Sequence, residues 1–393
     1  MPWRETCPMN QRQKFIEEWL HNEWSFSALC QAYGVSRKTG YKWLDRFKNG
    51  GFEDLGDQPR ACETHPNATP ASIEARIVQL RHRYPFWGPR KLKKRLGTLH
   101  PDQIWPASST IGSILKQHGL ARPRRKRSRT PIYEGPLTKG LLPNDVWAAD
   151  FKGWFKTQDG TRIDPLTVTD LASRYLIRCR AVAQTNGDTV RGQFTAAFQE
   201  FGMPRTLRTD NGVPFASVGL GGLSELAVWL IRLGITPERS RPAHPQDNGS
   251  HERMHRTLKQ ETANPPRSNP KEQQHAFERF QTVFNDERPH ESIDMKTPAD
   301  IFVPSPRPFP RKLPEIEYAA GSVTRLVLGN GTIKVMNKQI YASNALIGQP
   351  VRLEETETEQ QNVWYGPVLL GQLDLKNEVI RRTATKVLPM CPV

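Results

Sequence analysis

Three acidic residues of this 393-residue chain stand where carboxylates can do chemistry. Asp150 lies inside the alternating run VWAADF. Asp210 ends TLRTD and is followed by Asn211-Gly212. Glu252 opens a helix-compatible stretch just past the turn signal Asp247-Asn248-Gly249, in HPQDNGSHERMHRTLKQE. Carboxylate oxygens are hard ligands of the kind Mg²⁺ takes, and acids drawn from separate elements can hold such ions without enclosing them. Taken singly, each acid has an ordinary reading. An Asp at a strand end is commonly a turn or cap residue, and a Glu early in a helix complements the helix dipole. Their company weighs against that reading. Two Asn-Gly turns flank them, and Glu252 is set among His251, Arg253, His255, Arg256 and Lys259. Asp170 and Asp247 are rivals as ligands, although Asp247 suits a helix cap better.

The elements that must position these acids can be read from residue 143 onward. VWAADF, RIDPLTVTDLA and RYLIRCRAVA read as successive strands, with Tyr175, Ile177 and Cys179 expected on one face. Val190, Phe194, Ala197 and Phe201 recur at helical spacing. TLRTD is a short strand ending at Asp210. Leu223, Leu226, Ala227, Leu230 and Leu233 mark another helix, and GITPER a fifth strand. Three strands followed by alternating helix and strand fit a mixed α/β sheet. Helical phase sets Glu252, His255, Arg256 and Lys259 on adjoining positions of one face; on it Arg256 and Lys259 are candidate phosphate contacts, and His255 either donates to a phosphate or is an ordinary stacked or surface residue. The stretch 315–385 is β-rich. VTRLVLGNGTIKV reads as a hairpin turning at Asn330-Gly331, and VRLEE and VWYGPVLLGQLDL add strands for a small β-barrel.

The first third of the chain is helical. Residues 10–48 suggest three short helices, with Gly34-Val35-Ser36 as a turn and Ser36 as an N-cap. Trp43, Leu44 and Phe47 would face inward and leave Arg37, Lys38 and Lys42 free, the arrangement of a helix-turn-helix whose second helix enters the major groove. Gly40 departs from that pattern and costs about 1 kcal/mol relative to Ala in a helix. A second helical unit runs over roughly 70–120, with Pro89 in a first turn, Ser109 as a cap and Gly119 as a stop. Its Arg90, Lys91, Lys93, Lys94 and Arg95 form either a second DNA-binding surface or a solvated face. RPRRKRSR, residues 122–129, is a basic linker; Arg124, Arg125, Lys126 and Arg127 suit DNA phosphates.

Charge agrees with that partner. Residues 1–140 hold 25 basic and 12 acidic residues, so +13 of the net +16 lies there. Five Cys at 7, 30, 62, 179 and 391 form no CxxC pair, which argues against a disulfide scaffold or a zinc site. No apolar run approaches the ~18–20 residues of a membrane span. The N-terminal stretch lacks the apolar centre of a signal peptide. The expected compartment is the cytoplasm of a cell without a nucleus.

WAADFKG, RTDNGVPF and HPQDNGSHERMHRTLKQE resemble the core of bacterial insertion-sequence transposases of the DDE class. That core is similar to the catalytic domain of retroviral integrases. The resemblance covers about 140–300. It implies an α/β fold with a ribonuclease-H-like core, N-terminal helix-turn-helix domains and a small C-terminal β-barrel. Carried over residue by residue, the catalytic and metal-ligating triad falls on Asp150, Asp210 and Glu252, and Lys259 matches a basic residue often found two turns after the Glu. The chain departs from the retroviral pattern in three places. Forty-one residues separate Asp210 from Glu252, more than is usual, with SVGLGGLSELA available to hold the surplus. Lys152 replaces a small hydroxyl residue, and no zinc-binding HHCC pattern precedes the core.

The resemblance further implies metal-dependent phosphoryl transfer on DNA. Two Mg²⁺ ions are expected, with Mn²⁺ possible, cutting double-stranded DNA at transposon ends and joining it to target DNA. A homo-oligomer on DNA is implied, because both ends must be cut together. The expected layout is a helix-turn-helix domain at 1–60, a second helical DNA-binding domain at 61–121, a basic linker at 122–142, a catalytic core at 143–305 and a β domain at 306–393. Two rival readings remain: a DNA-binding regulator derived from a transposase, and a hydrolytic nuclease of the same fold.

Overall fold

The computed structural model describes residues 7–57, 68–121, 137–241 apart from 216 and 218, 249–355 and 360–381. The chain divides into two compact units, residues 1–69 and 70–393. The basic linker with Arg124, Arg125, Lys126 and Arg127, and also Asp247, fall outside the described residues.

The first unit holds α1 (Pro8–Leu20), α2 (Phe26–Ala32) and α3 (Arg37–Gly50). Ser25 and Ser36 cap the second and third helices by accepting the N–H groups of Ala28 and Thr39. Phe15, Ile16, Leu29, Cys30, Leu44 and Leu55 form the core. Arg37, Lys38 and Lys42 are exposed on α3. Gly40 is explained by packing. A Cβ there would stand 2.6 Å from Cys30 Sγ, 3.0 Å from Phe26 and 3.2 Å from Phe15. We expect Gly40→Ala to destabilise this unit by about 1–2 kcal/mol, because overpacking outweighs the gain in helix propensity. A thermal unfolding scan checks this, and a stabilised variant would contradict it.

The second unit begins with α4 (Ala71–Arg83), α5 (Pro89–Leu99) and α6 (Ser108–Gln117), packed on Trp87, Ile77, Leu92 and Leu96. Ser109 lies in the first turn of α6 rather than at its cap, which is Ala107. The basic run of α5 is not one uniform solvated face. Arg95 meets Glu287 at 3.1 Å and Arg90 meets Glu291 at 3.6 Å. Burial, with Arg288 beside it, lowers the Lys91 ammonium to about 7.

The central sheet contains β1 (Val146–Phe151), β2 (Phe155–Lys156), β3 (Arg162–Asp170), β4 (Leu176–Val182), β5 (Thr206–Thr209) and β6 (Thr236–Arg239). Its order is β2-β3-β1-β5-β6, with β4 on the other side of β3. β1 runs antiparallel to β3 and parallel to β5. Helices α7 (Gly187–Phe201) and α8 (Glu225–Arg232) contribute to the core that contains Trp147, Phe194 and Phe198. Helices α9 (Gly249–Thr262) and α10 (Pro270–Thr282) contribute to a separate core with Met254, Leu258 and Phe277.

Two local expectations fail for stated reasons. A register shift between Val168 and Thr169 leaves Ile177 unpaired, so Ile177 joins the first core and Cys179 the second instead of sharing a face. The turn at Asn330-Gly331 forms, but the strands around it separate. β7 (Val323–Leu326) pairs with β10 (Pro350–Glu355), while β8 (Thr332–Val335) pairs with β9 (Lys338–Tyr341). With β11 (Gln361–Tyr365), β12 (Val368–Asp374) and β13 (Val379–Arg381), the C-terminal part forms a five-stranded sheet and a two-stranded ribbon, and no pairing among described strands closes a barrel. Its core shares Ala227, Val228 and Ile231 of α8, which explains why six of that helix's eight residues are buried.

Candidate active site

Asp150 lies near the end of β1, opposite Thr167 of β3. Asp210 follows the last residue of β5, the parallel neighbour of β1. Asp210 accepts the Gly212 N–H at 3.0 Å, and a Cβ on Gly212 would stand 3.1 Å from the same carboxylate. That contact gives the glycine of the Asp-Asn-Gly turn its reason. Glu252 lies in the first turn of α9 and is exposed, as are Arg256 and Lys259.

The three acids are electrostatically coupled. Burial pushes the Asp150 carboxyl up to about 7, the Asp210 charge adds to that rise, and Glu252 adds a smaller part against the pull of Lys152. Mutual repulsion of carboxylates is relieved by a cation between them, although among the described residues Asp210 and Glu252 do not join Asp150 in a group of ligand atoms within 4.8 Å. The donor set of hard carboxylate oxygens fits a divalent ion.

A pH effect follows. Asp150 is raised above its ordinary value of 3.8, so in metal-free protein the stability tied to its protonated form is full below about pH 4 and is lost as pH rises through about 7. Asp150→Asn should therefore stabilise the metal-free chain at pH 8, on the order of 2 kcal/mol, and have little effect near pH 4. Thermal scans in a chelator at the two pH values check the sign.

α9 differs from its expectation at His255. The residue does not share the exposed flank of Glu252, Arg256 and Lys259, and it is not available there to a phosphate. His251 and His255 are 1% and 6% exposed and face the sheet. Thr167 Oγ1 is 2.7 Å from His251 Nε2 and 2.6 Å from His255 Nε2. Thr169 Oγ1 is 2.9 Å from His251 Nδ1. The ligand atoms of Asp150, His251 and His255 all lie within 4.8 Å of one another. Burial lowers both imidazoles far below the usual histidine range, His251 to about 3, so both are neutral. Sequence reasoning singled out both histidines but not their buried role, and it missed Thr167 and Thr169. The available signals were the i, i+4 histidines of SHERMHR and the alternating threonines of LTVTD. Asp170, a rival ligand, is occupied structurally, accepting Asn144 N–H, Ser173 N–H and Ser173 Oγ–H at 2.6–2.8 Å.

Comparison with known proteins agrees with this architecture. The integrase core domain family matches residues 141–245 and 233–298. A helix-turn-helix domain matches 11–61 and a homeodomain-like domain 39–115. The transposase for insertion sequence element IS904 of Lactococcus lactis is 28% identical over 218 residues, covering 52% of this chain and 83% of that protein. An uncharacterized 31.7 kDa protein of insertion element IS407 from Burkholderia multivorans is 26% identical over 243 residues, covering 58% of this chain and 80% of the relative. A cryoEM structure of the simian T-cell lymphotropic virus intasome aligns with a TM-score of 0.39 at 16% identity, over 73% of this chain and 91% of that one.

The integrase core matches make the chain a polynucleotidyl transferase of the DDE class. Its integrase-like core is preceded by helix-turn-helix domains that suggest DNA binding, and the proteins it is similar to include a transposase of an insertion sequence. Among the described residues no helix is long and apolar enough to cross a membrane.

Proposed function

We propose that this chain is a transposase that cleaves double-stranded DNA at the ends of its element and joins the freed ends to target DNA. Asp150, Asp210 and Glu252 act as catalytic metal ligands for two Mg²⁺ ions, and Mn²⁺ can serve in their place. The observation that carries this reading is placement: Asp150 lies on β1, Asp210 just beyond the parallel neighbour β5, and Glu252 in the first turn of α9, whose His251 and His255 meet Thr167 opposite Asp150. Bound divalent ions would activate the attacking oxygen and stabilise the leaving one. First a water oxygen forms a bond to phosphorus at the element's end as the bond to the 3′-oxygen breaks, leaving a 3′-hydroxyl. That hydroxyl then attacks a target phosphodiester in line, forming a new P–O bond as the bond to the target's own 3′-oxygen breaks, and the attacking proton passes to the 3′-hydroxyl that leaves. Neither step needs a covalent protein–DNA link.

The other roles follow from charge and exposure. Arg256 and Lys259 stand on the exposed flank of α9 with Glu252, suited to hold phosphates beside the acids. Arg37, Lys38 and Lys42 on α3 would read base edges in the major groove. Arg124, Arg125, Lys126 and Arg127 would follow the backbone and make binding strongly salt-dependent. The layout proposed with these roles is two helical DNA-binding domains at 1–60 and 61–121, a linker at 122–142, the core at 143–305 and a β domain at 306–393. A homo-oligomer in the bacterial cytoplasm would hold both ends at once.

The test is an incubation of the full chain with Mg²⁺, a labelled end duplex and a target plasmid. Joined products are expected. Nicking without joining would indicate a hydrolytic nuclease, and binding without chemistry a regulator.

A further inference from the structure

The polar network behind Asp150 assigns a proton to each of its members. Thr167 Oγ1 lies 3.1 Å from the Asp150 carbonyl oxygen as well as within 2.7 Å of the two imidazole Nε2 atoms. A hydroxyl has one proton and two lone pairs, and a carbonyl can only accept. All three contacts are satisfied together only when Thr167 donates to the carbonyl and both imidazoles donate Nε2–H to Thr167. His251 Nδ1 is then a bare acceptor, met by the Thr169 hydroxyl at 2.9 Å. Both nitrogens of His251 are therefore engaged, and it cannot bind an ion without breaking this network. His255 differs. Its Nδ1 also carries a lone pair, and among the described residues it accepts no hydrogen bond. It faces Asp150 Oδ2 at 3.7 Å. With Asp150 ionised, two electron-pair donors are aimed at each other across a gap too long for a hydrogen bond. The ring is 6% exposed and held by Thr167, so it cannot turn away at low cost.

We infer that His255 Nδ1 is a nitrogen ligand of the divalent cation bound at Asp150, making that position a mixed nitrogen–oxygen site that takes Mn²⁺ in preference to Mg²⁺. The inference rests on the proposed metal site and adds a ligand and a selectivity to it. Mg²⁺ takes oxygen ligands and holds its waters tightly, whereas imidazole suits the first-row transition ions. Thr167, Thr169 and His251 would be positioning residues, fixing the tautomer and the ring plane of His255.

Pulsed electron paramagnetic resonance of the full chain loaded with Mn²⁺ tests this directly. A ¹⁴N coupling from a directly bound imidazole is expected, replaced by a ¹⁵N coupling when the unaltered chain is grown with ¹⁵N-histidine. This second measurement needs no substitution and so no assumption about folding. In His255→Asn the coupling should vanish, Mn²⁺ should still bind through Asp150 about tenfold more weakly, and the preference for Mn²⁺ over Mg²⁺ should narrow. Bound Mn²⁺ that is lost in Asp150→Asn but shows no nitrogen coupling in the unaltered chain would overturn the inference and leave the carboxylate site standing. A coupling that persists in His255→Asn would overturn it too. Mn²⁺ binding indifferent to Asp150→Asn would instead remove the metal site itself.

Discussion

Asp150→Asn, Asp210→Asn and Glu252→Gln are each expected to bind DNA carrying the element's ends, yet to lose end cleavage and strand joining by at least about 10³-fold, roughly 4 kcal/mol of transition-state stabilisation. Each amide keeps the shape of the acid and removes its charge, so the folded frame should persist while the grip on a cation fails. Asp150 carries the sharpest form of the expectation. It is the acid that burial and two like charges hold uncomfortably, so its amide should be inactive and, without metal, more stable at pH 8. Loss of activity together with a gain in stability separates a catalytic ligand from a structural one. Residues acting as one unit are not additive, so a double variant should be little worse than a single one. Single-turnover cleavage of a labelled end duplex, run beside a binding assay, reads both quantities. If any of the three variants kept near-normal rates, the assignment of that acid would be wrong.

Much of this architecture was legible because its signals are local. α7 has the helical periodicity its environment demands, β1 and β3 read as strands although both faces of each are buried, and Asp-Asn-Gly after β5 marks a turn whatever packs around it. The capping serine before α3 is likewise a local device. What could not be read depends on contacts distant in sequence. The unpaired Ile177 reverses the facing of its strand, and nothing within RYLIRCRAVA records the shift that β3 imposes. In α9 the polarity pattern itself misleads. His251, Met254, His255, Thr257, Leu258 and Thr262 are the buried positions, so four of the six inward residues are polar and the helix reads as uniformly basic. A buried imidazole is tolerable only where hydroxyls meet it, and those hydroxyls lie on β3. The β7–β8 turn shows the same limit. Its glycine fixes a bend, but β7 pairs with β10 and β8 with β9.

The second large effect is expected at the pair beneath Asp210. Arg208 of β5 and Glu238 of β6 are direct partners across the parallel ladder, 7% and 4% exposed in their side chains, with Nε donating to Oε2 at 2.6 Å. The ring extends to the segment before β1. Glu238 Oε1 accepts the Thr138 N–H at 2.7 Å, and Arg208 Nη2 donates to the Thr138 carbonyl at 2.6 Å. Glu238→Gln would remove the carboxylate charge buried against the Arg208 guanidinium, at a cost of about 3 kcal/mol. Because Asp210 stands two residues beyond Arg208, loosening β5 should also weaken cleavage, through a raised metal requirement rather than an altered pH profile. A joint Arg208→Met, Glu238→Leu replacement should recover most of the stability, since a buried ion pair is often matched by apolar groups of similar volume. Hydrogen exchange on peptides covering β5 and β6 measures both changes. A Glu238→Gln chain that exchanged there at the unaltered rate would show that the pair does not hold the strands, and Asp210 would need another support.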